Sequence, residues 1–146
     1  MRQVSFRLRL FGSEAERESS ERVLGVLLRA LAAANVEYLR HHPATPRLYR
    51  AGVRYRAERV PREFWKGVVE TLEDGHGDCE DLACWRVAEL IVRDGVAAEP
   101  VFRFRRIGRL SVYHILVRLP DGRVEDPSAL LGMGQGGATR SQLGLS

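Results

Sequence analysis

A chain of 146 residues and 16.5 kDa has the size of one domain, which excludes a linker-joined pair. With 45% hydrophobic and 29% charged residues and a formal charge of +4, it is long enough to bury roughly 70% of its unfolded surface, which excludes wholesale disorder. No run approaches the ~20 consecutive apolar residues of a spanning helix, and residues 1–10 hold no apolar block of signal-peptide length. The expectation is a soluble, cytoplasmic protein.

In chain order, Val4, Phe6, Leu8 and Leu10 alternate with polar residues and predict a half-buried strand. The acidic, Ser-containing stretch 13–21 offers helix caps, and a long amphipathic helix follows over 23–39. Its apolar stripe is Val23, Leu27, Ala30, Leu31 and Ala34. Pro43 stops it, because the residue before a proline is pushed out of the α region. Residues 43–61, with Pro46 and Gly52, read as an extended connection that wraps the surface and adds nothing to the core. A short helix is predicted over 64–72, then a loop over 73–78, where two glycines and two aspartates favour turns.

Residues 79–94 carry helical spacing in Leu82, Val87, Leu90 and Ile91. Asp78 is the N-cap, Asp81 the partner of a capping box, and Gly95 the residue that ends the helix. Three strands come next, over 99–106, 111–119 and 123–125, the last two joined by the turn Pro120-Asp121-Gly122. Residues 132–137 are glycine-rich but lack the Lys-Ser/Thr of a phosphate loop, so they open a flexible tail over 134–146. The expected class is α+β: the helix at 79–94 packs on the later antiparallel strands, and the long first helix covers the other side of that sheet.

Lys66 is the only lysine among 23 basic residues. Arg103, Arg105, Arg106 and Arg109 alternate with Phe102 and Phe104 and read as the solvated face of a strand. Nucleic acid is therefore not the expected partner. Cys79 and Cys84 should be free thiols in a reducing compartment. Cys84 is five residues further along the helix and points away from Cys79, so it reads as a small buried hydrophobe and a zinc site with His76 is disfavoured. His41 and His42 close the long helix, where cations suit the dipole.

Cys79 falls in the first turn of its helix, where unpaired N–H groups and the dipole favour thiolate. Its own backbone N–H is a candidate oxyanion donor. Asp78, Glu80 and Asp81 act against ionisation, so a base from elsewhere in the fold is needed. His114, in the apolar strand Val112 to Leu116, is the candidate base, and Asp126, just before Pro127, is placed to orient its imidazole.

The run Gly77-Asp78-Cys79-Glu80-Asp81-Leu82-Ala83, then Tyr113-His114, then Asp121-Gly122 with Asp126-Pro127, resembles the transglutaminase-like superfamily of papain-like thiol enzymes, in particular its short bacterial and bacteriophage members. The resemblance covers about 49–133. It implies Cys79 as nucleophile, His114 as general base and then acid, and Asp126 as the histidine's orienter. The implied reaction is acyl transfer on a carboxamide or peptide bond of a protein or peptide substrate, a cysteine peptidase or amidase with no cofactor. Crosslinking by a transglutaminase is the alternative chemistry. A non-catalytic phage or prophage structural or binding protein on the same fold, virion-associated, is the alternative of another class. The resemblance also raises calcium near Asp78, Glu80 and Asp81, although capping accounts for two of these acids. Trp65 is closer to the cysteine than the oxyanion tryptophan of animal transglutaminases and is read as core. Were the protein to crosslink itself, Lys66 would be its one side-chain amine.

Overall fold

The computed structural model describes Val4 and residues 17–58, 64–107 and 110–134. The strand expected at residues 4–10 and the tail from 135 onward lie outside the described residues, apart from Val4. Helix α1 spans Arg17–His41, longer at both ends than its apolar repeat predicts. Its first turns are carried by Arg17–Glu21 and Arg22–Glu18 pairs at i,i+4 spacing. The buried stripe is Leu28, Ala32, Asn35, Val36 and Leu39, one residue out of phase with the predicted one, and Ala30 and Ala34 are exposed. Alanine fits either face of a helix, so the period was readable where the phase was not.

Residues 43–58 correct the expectation of a surface connection. A 3-10 turn at Leu48–Arg50 and the short strand β1 (Arg54–Tyr55) run through this segment, and Leu48 and Val53 are buried. Helix α2 begins at Val68, four residues later than predicted, and ends at Asp74, two residues later. Its opening N–H, on Val68, is capped by Asn35 of α1 at 3.1 Å, a partner 33 residues away that no local pattern announces. The predicted loop at 73–78 is tighter than composition suggests. Gly75 ends α2 in the left-handed region, and His76–Gly77 forms strand β2, which pairs in parallel with β1, Tyr55 opposite Gly77. A Cβ on Gly77 would lie 3.0 Å from Asp81 Cβ and 3.1 Å from Thr71 Cγ2, so glycine lets this strand press onto the next helix.

That helix, α3 (Cys79–Asp94), has the predicted boundaries, with Gly95 in the left-handed conformation behind it. Strands β3 (Glu99–Ile107), β4 (Leu110–Arg118) and β5 (Val124–Glu125) make an antiparallel sheet in the order β3-β4-β5. Helix α4 (Pro127–Leu130) closes the described chain. The mixed α+β class is as expected, but the position of α1 is not. Leu28 and Ala32 of α1, Ala83 and Val87 of α3, and Ile115 and Val117 of β4 share one apolar cluster with Phe102 packed on it. Both helices therefore lie on the same face of the sheet. A second cluster joins Trp85 and Leu82 of α3 to Leu39, Leu48, Val53 and Val68. α3 is thus buried on two sides, and each fully buried aliphatic contributes roughly 1.5–3 kcal/mol. No helix among the described residues is long and apolar enough to cross a membrane.

Candidate active site at the start of helix α3

The start of α3 is built by a reciprocal cap. The Asp78 side chain accepts from the backbone N–H of Asp81 and Asp81 Oδ2 accepts from Asp78 N at 3.0 Å, the predicted capping box, and Asp78 Oδ1 also accepts from Cys79 N at 2.7 Å. Each acid has a second, distant task. Asp78 Oδ2 accepts from Glu58 N at 2.8 Å, and Asp81 Oδ1 accepts from Lys66 N at 2.7 Å. Two segments remote in sequence are thereby tied to the turn that carries Cys79. These donors, on Glu58 and Lys66, are functional anchors the sequence did not reveal, because a backbone N–H leaves no mark on residue type.

Cys79 is buried at the first position of α3, its apolar cluster flanked by half-buried Tyr55 and Trp65. Trp65 packs against the same apolar cluster that holds Cys79, as its reading as core predicted. The thiol donates to Glu80 Oε2 at 3.4 Å, and the backbone amide of Ile115 lies against its sulfur. Burial pushes the thiol well above its ordinary range, with the negative charges of Glu80 and Asp78 acting the same way and the Ile115 amide opposing them. The opposition of the flanking acids is as the sequence implied. One expectation fails: the N–H of Cys79 is taken by Asp78 Oδ1, so it is not a free oxyanion donor.

Glu80 is 6% exposed and Asp81 1% exposed. Burial, reinforced by Asp81 and Asp78, pushes Glu80 up to about 8. Burial pushes Asp81 up to about 7 against the pull of its N–H donors on Lys66 and Asp78. Glu80 Oε1 has no hydrogen-bond partner.

On the sheet, His114 Nε2 lies 2.9 Å from Asp126 Oδ2, a pair with partly exposed side chains. Asp126 is also the N-cap of α4, its Oδ1 accepting from Ala129 N at 3.1 Å, so the carboxylate is pinned from behind. An ionised carboxylate only accepts, so in the neutral form of this imidazole the proton sits on Nε2 and Nδ1 carries the lone pair. Alternation along β4 puts His114 and Leu116 on the face opposite to Ile115 and Val117, which pack under the helices. β5 pairs with β4 only at Val117 and Arg118, so the β4 edge is left open by β5 at Ile115, where the thiol sits. His114 and Asp126 are thus brought together, and Cys79 meets β4 one residue from His114. The hydrogen bond of the thiol goes to Glu80, and none to His114 is among those described.

The calcium alternative meets a poor set of donors. Asp78, Cys79 and Glu80 offer ligand atoms within 4.8 Å of one another. Both oxygens of Asp78 and both of Asp81 already accept backbone N–H groups, and one Glu80 oxygen faces a thiol. Calcium asks for six to eight oxygens, and these residues do not fit it. Cys84 is fully buried with its Sγ on Leu28 O at 3.4 Å, as expected of a small hydrophobe. His42 Nδ1 bonds Tyr38 O at 2.9 Å and its ring stacks on Tyr38, a helix-closing role. Compared with protein-family models, curated proteins and solved structures, the chain matches none.

Proposed function

We propose that the protein is a thiol acyl-transfer enzyme of the transglutaminase-like kind, a cysteine peptidase or amidase acting on protein carboxamide or peptide bonds. The observation that supports this most is the His114–Asp126 pair at 2.9 Å, because it holds an imidazole in one tautomer beside the strand position where a helix-start cysteine sits. In this reading Nδ1 of His114 takes the proton of Cys79 as the sulfur attacks the acyl carbon. The same proton passes to the departing nitrogen as the tetrahedral intermediate collapses, leaving a thioester and free ammonia or amine. Water then attacks the thioester with His114 as base, releasing the acid and restoring the thiol. The thiol must first leave Glu80 Oε2, on which it lies at 3.4 Å, and turn past the open β4 edge toward His114.

The Glu80 contact favours a second reading, a binding or assembly protein in which the carboxyl keeps the thiol protonated and idle. The two separate on the rate of Cys79 alkylation by iodoacetamide in a Cys84→Ser background. Catalysis predicts alkylation at pH 7 faster than a free thiol, slowed at least tenfold by His114→Ala and partly by Asp126→Asn. A rate at or below that of a free thiol, indifferent to His114, would remove the general base and leave the binding-protein reading.

A further inference from the structure

Resting on the acyl-transfer reading of this site, we infer that Arg103 selects substrates that carry a carboxylate next to the reacting acyl group. In the β3–β4 ladder Arg103 stands directly opposite His114. Directly opposed residues have Cβ atoms about 4.5–5.5 Å apart on the same face of the sheet, so the guanidinium belongs to the same surface as the His114–Asp126 pair.

Several arginines elsewhere are paired within the fold, whereas Arg103 is not paired among the described residues, and its register opposite His114 sets it apart from the other exposed ones. Four residues along β3 on the same face, the opposed pair Glu99 and Arg118 closes an ion pair with Nη2 to Oε1 at 2.5 Å. Arg86 is held by Glu89 and Glu125, Arg47 by Asp94, and Arg123 by Asp121. Arg103 is exposed and has no hydrogen bond or ion pair among the described residues. Its cross-strand neighbour is a histidine already engaged by Asp126. An exposed, unpaired arginine keeps its planar fork of donors available, and that fork matches a carboxylate bidentately. The carboxylate can belong to an acidic side chain or to a free C-terminus. Both offer the same group.

The test uses the full chain with peptides that differ only beside the reacting residue. One carries Asp, one Asn, one Lys, and each is made with a free and an amidated C-terminus. Steady-state kcat/KM is measured on the wild type, and Kd by calorimetry on Cys79→Ala, which reads binding whether or not turnover occurs. A charge-assisted Arg–carboxylate contact predicts about a tenfold preference for Asp over Asn, shrinking at high salt. Arg103→Gln should abolish it, and Arg103→Glu should turn the preference toward Lys. Selectivity that follows the free C-terminus instead of the side chain assigns the carboxylate to the chain end. An unchanged Asp preference in Arg103→Gln, or no preference in the wild type by either readout, overturns the inference. Discrimination in Kd without turnover would retire the acyl-transfer reading and leave Arg103 as an anion-binding residue. Since the side chain has no partner in the described fold, both variants should unfold at the wild-type temperature.

Discussion

Helix α3 buries carboxylates at two places and treats them in opposite ways. On its side, fully buried Glu89 receives Leu48 N at 2.8 Å and Arg86 at 2.5 Å, and Arg86 is further held by Glu125 and lies over the Tyr49 ring. Tyr49 in turn donates to Glu125. At the helix start, Glu80 and Asp81 are almost as deeply buried, yet neither has an ion pair among the described residues, and both are pushed up toward neutrality. A buried acid with a guanidinium partner is a structural rivet. Asp81 is repaid by the two backbone N–H groups from which it accepts, whereas Glu80, with one oxygen on the thiol and the other without a partner, is not, and such a group is where function is expected.

The sharpest way to break this contrast is at Glu89. Glu89→Ala strands the N–H of Leu48 and removes one of the two carboxylates on Arg86, so urea denaturation should show a loss of about 3–5 kcal/mol. A loss below about 1 kcal/mol would mean that the rivet description is wrong. Asp81→Ala comes next. It removes acceptors from Asp78 N and Lys66 N, and about 2 kcal/mol should disappear from the unfolding free energy. Cys79 alkylation should change with it, because the turn that carries the thiol loosens.

Glu80 predicts a pH effect with a definite sign. Its folded pKa is raised from the ordinary 4.5 to about 8, so the folded chain holds a proton that the unfolded chain gives up earlier. Stability from the neutral carboxyl is complete below about pH 4.5 and is lost as pH rises through about 8. The wild-type melting temperature should fall across that window, and Glu80→Gln should flatten the fall. Asp81, raised to about 7, acts in the same direction and leaves a residual slope. Equal slopes in wild type and variant would show that Glu80 is ionised throughout. The smallest effect belongs to Lys66→Arg. The ion pair of Lys66 with half-exposed Asp74 is worth no more than about 1 kcal/mol, and a larger loss in thermal melts would assign Lys66 a structural weight the rest of the comparison does not give it.

Much of the site was legible because its signals are local. Asp78, Asp81 and Gly95 lie within a turn of the helix ends they define, so α3 and the position of Cys79 followed from spacing alone. The β3–β4 pairing and the partnership of His114 with Asp126 followed from alternation and a short turn. What escaped depends on contacts far along the chain. Leu48 and Val53 enter the core from a segment whose prolines and glycine suggested only a surface path. Asn35 caps a helix that begins 33 residues later. The side of the sheet taken by α1 is decided by Phe102 and Ile115 packing against Leu28, and helical period carries no information about which face is chosen. Arg103 was read as part of a solvated strand face, since its relation to His114 exists only in the ladder register.

Lys66 has one further consequence, for measurement. Its Nζ sits between Asp74 Oδ2 at 3.0 Å and the carbonyl of His76 at 2.8 Å, and its side chain is 11% exposed. A transamidating enzyme seeking an acceptor on this chain would find its only lysine already engaged, so self-linked ladders should be absent. The same engagement makes Lys66 a clock. Amine-directed reagents must wait for these two contacts to open, so the labelling rate at this one position reads how often Lys66 leaves Asp74 and His76.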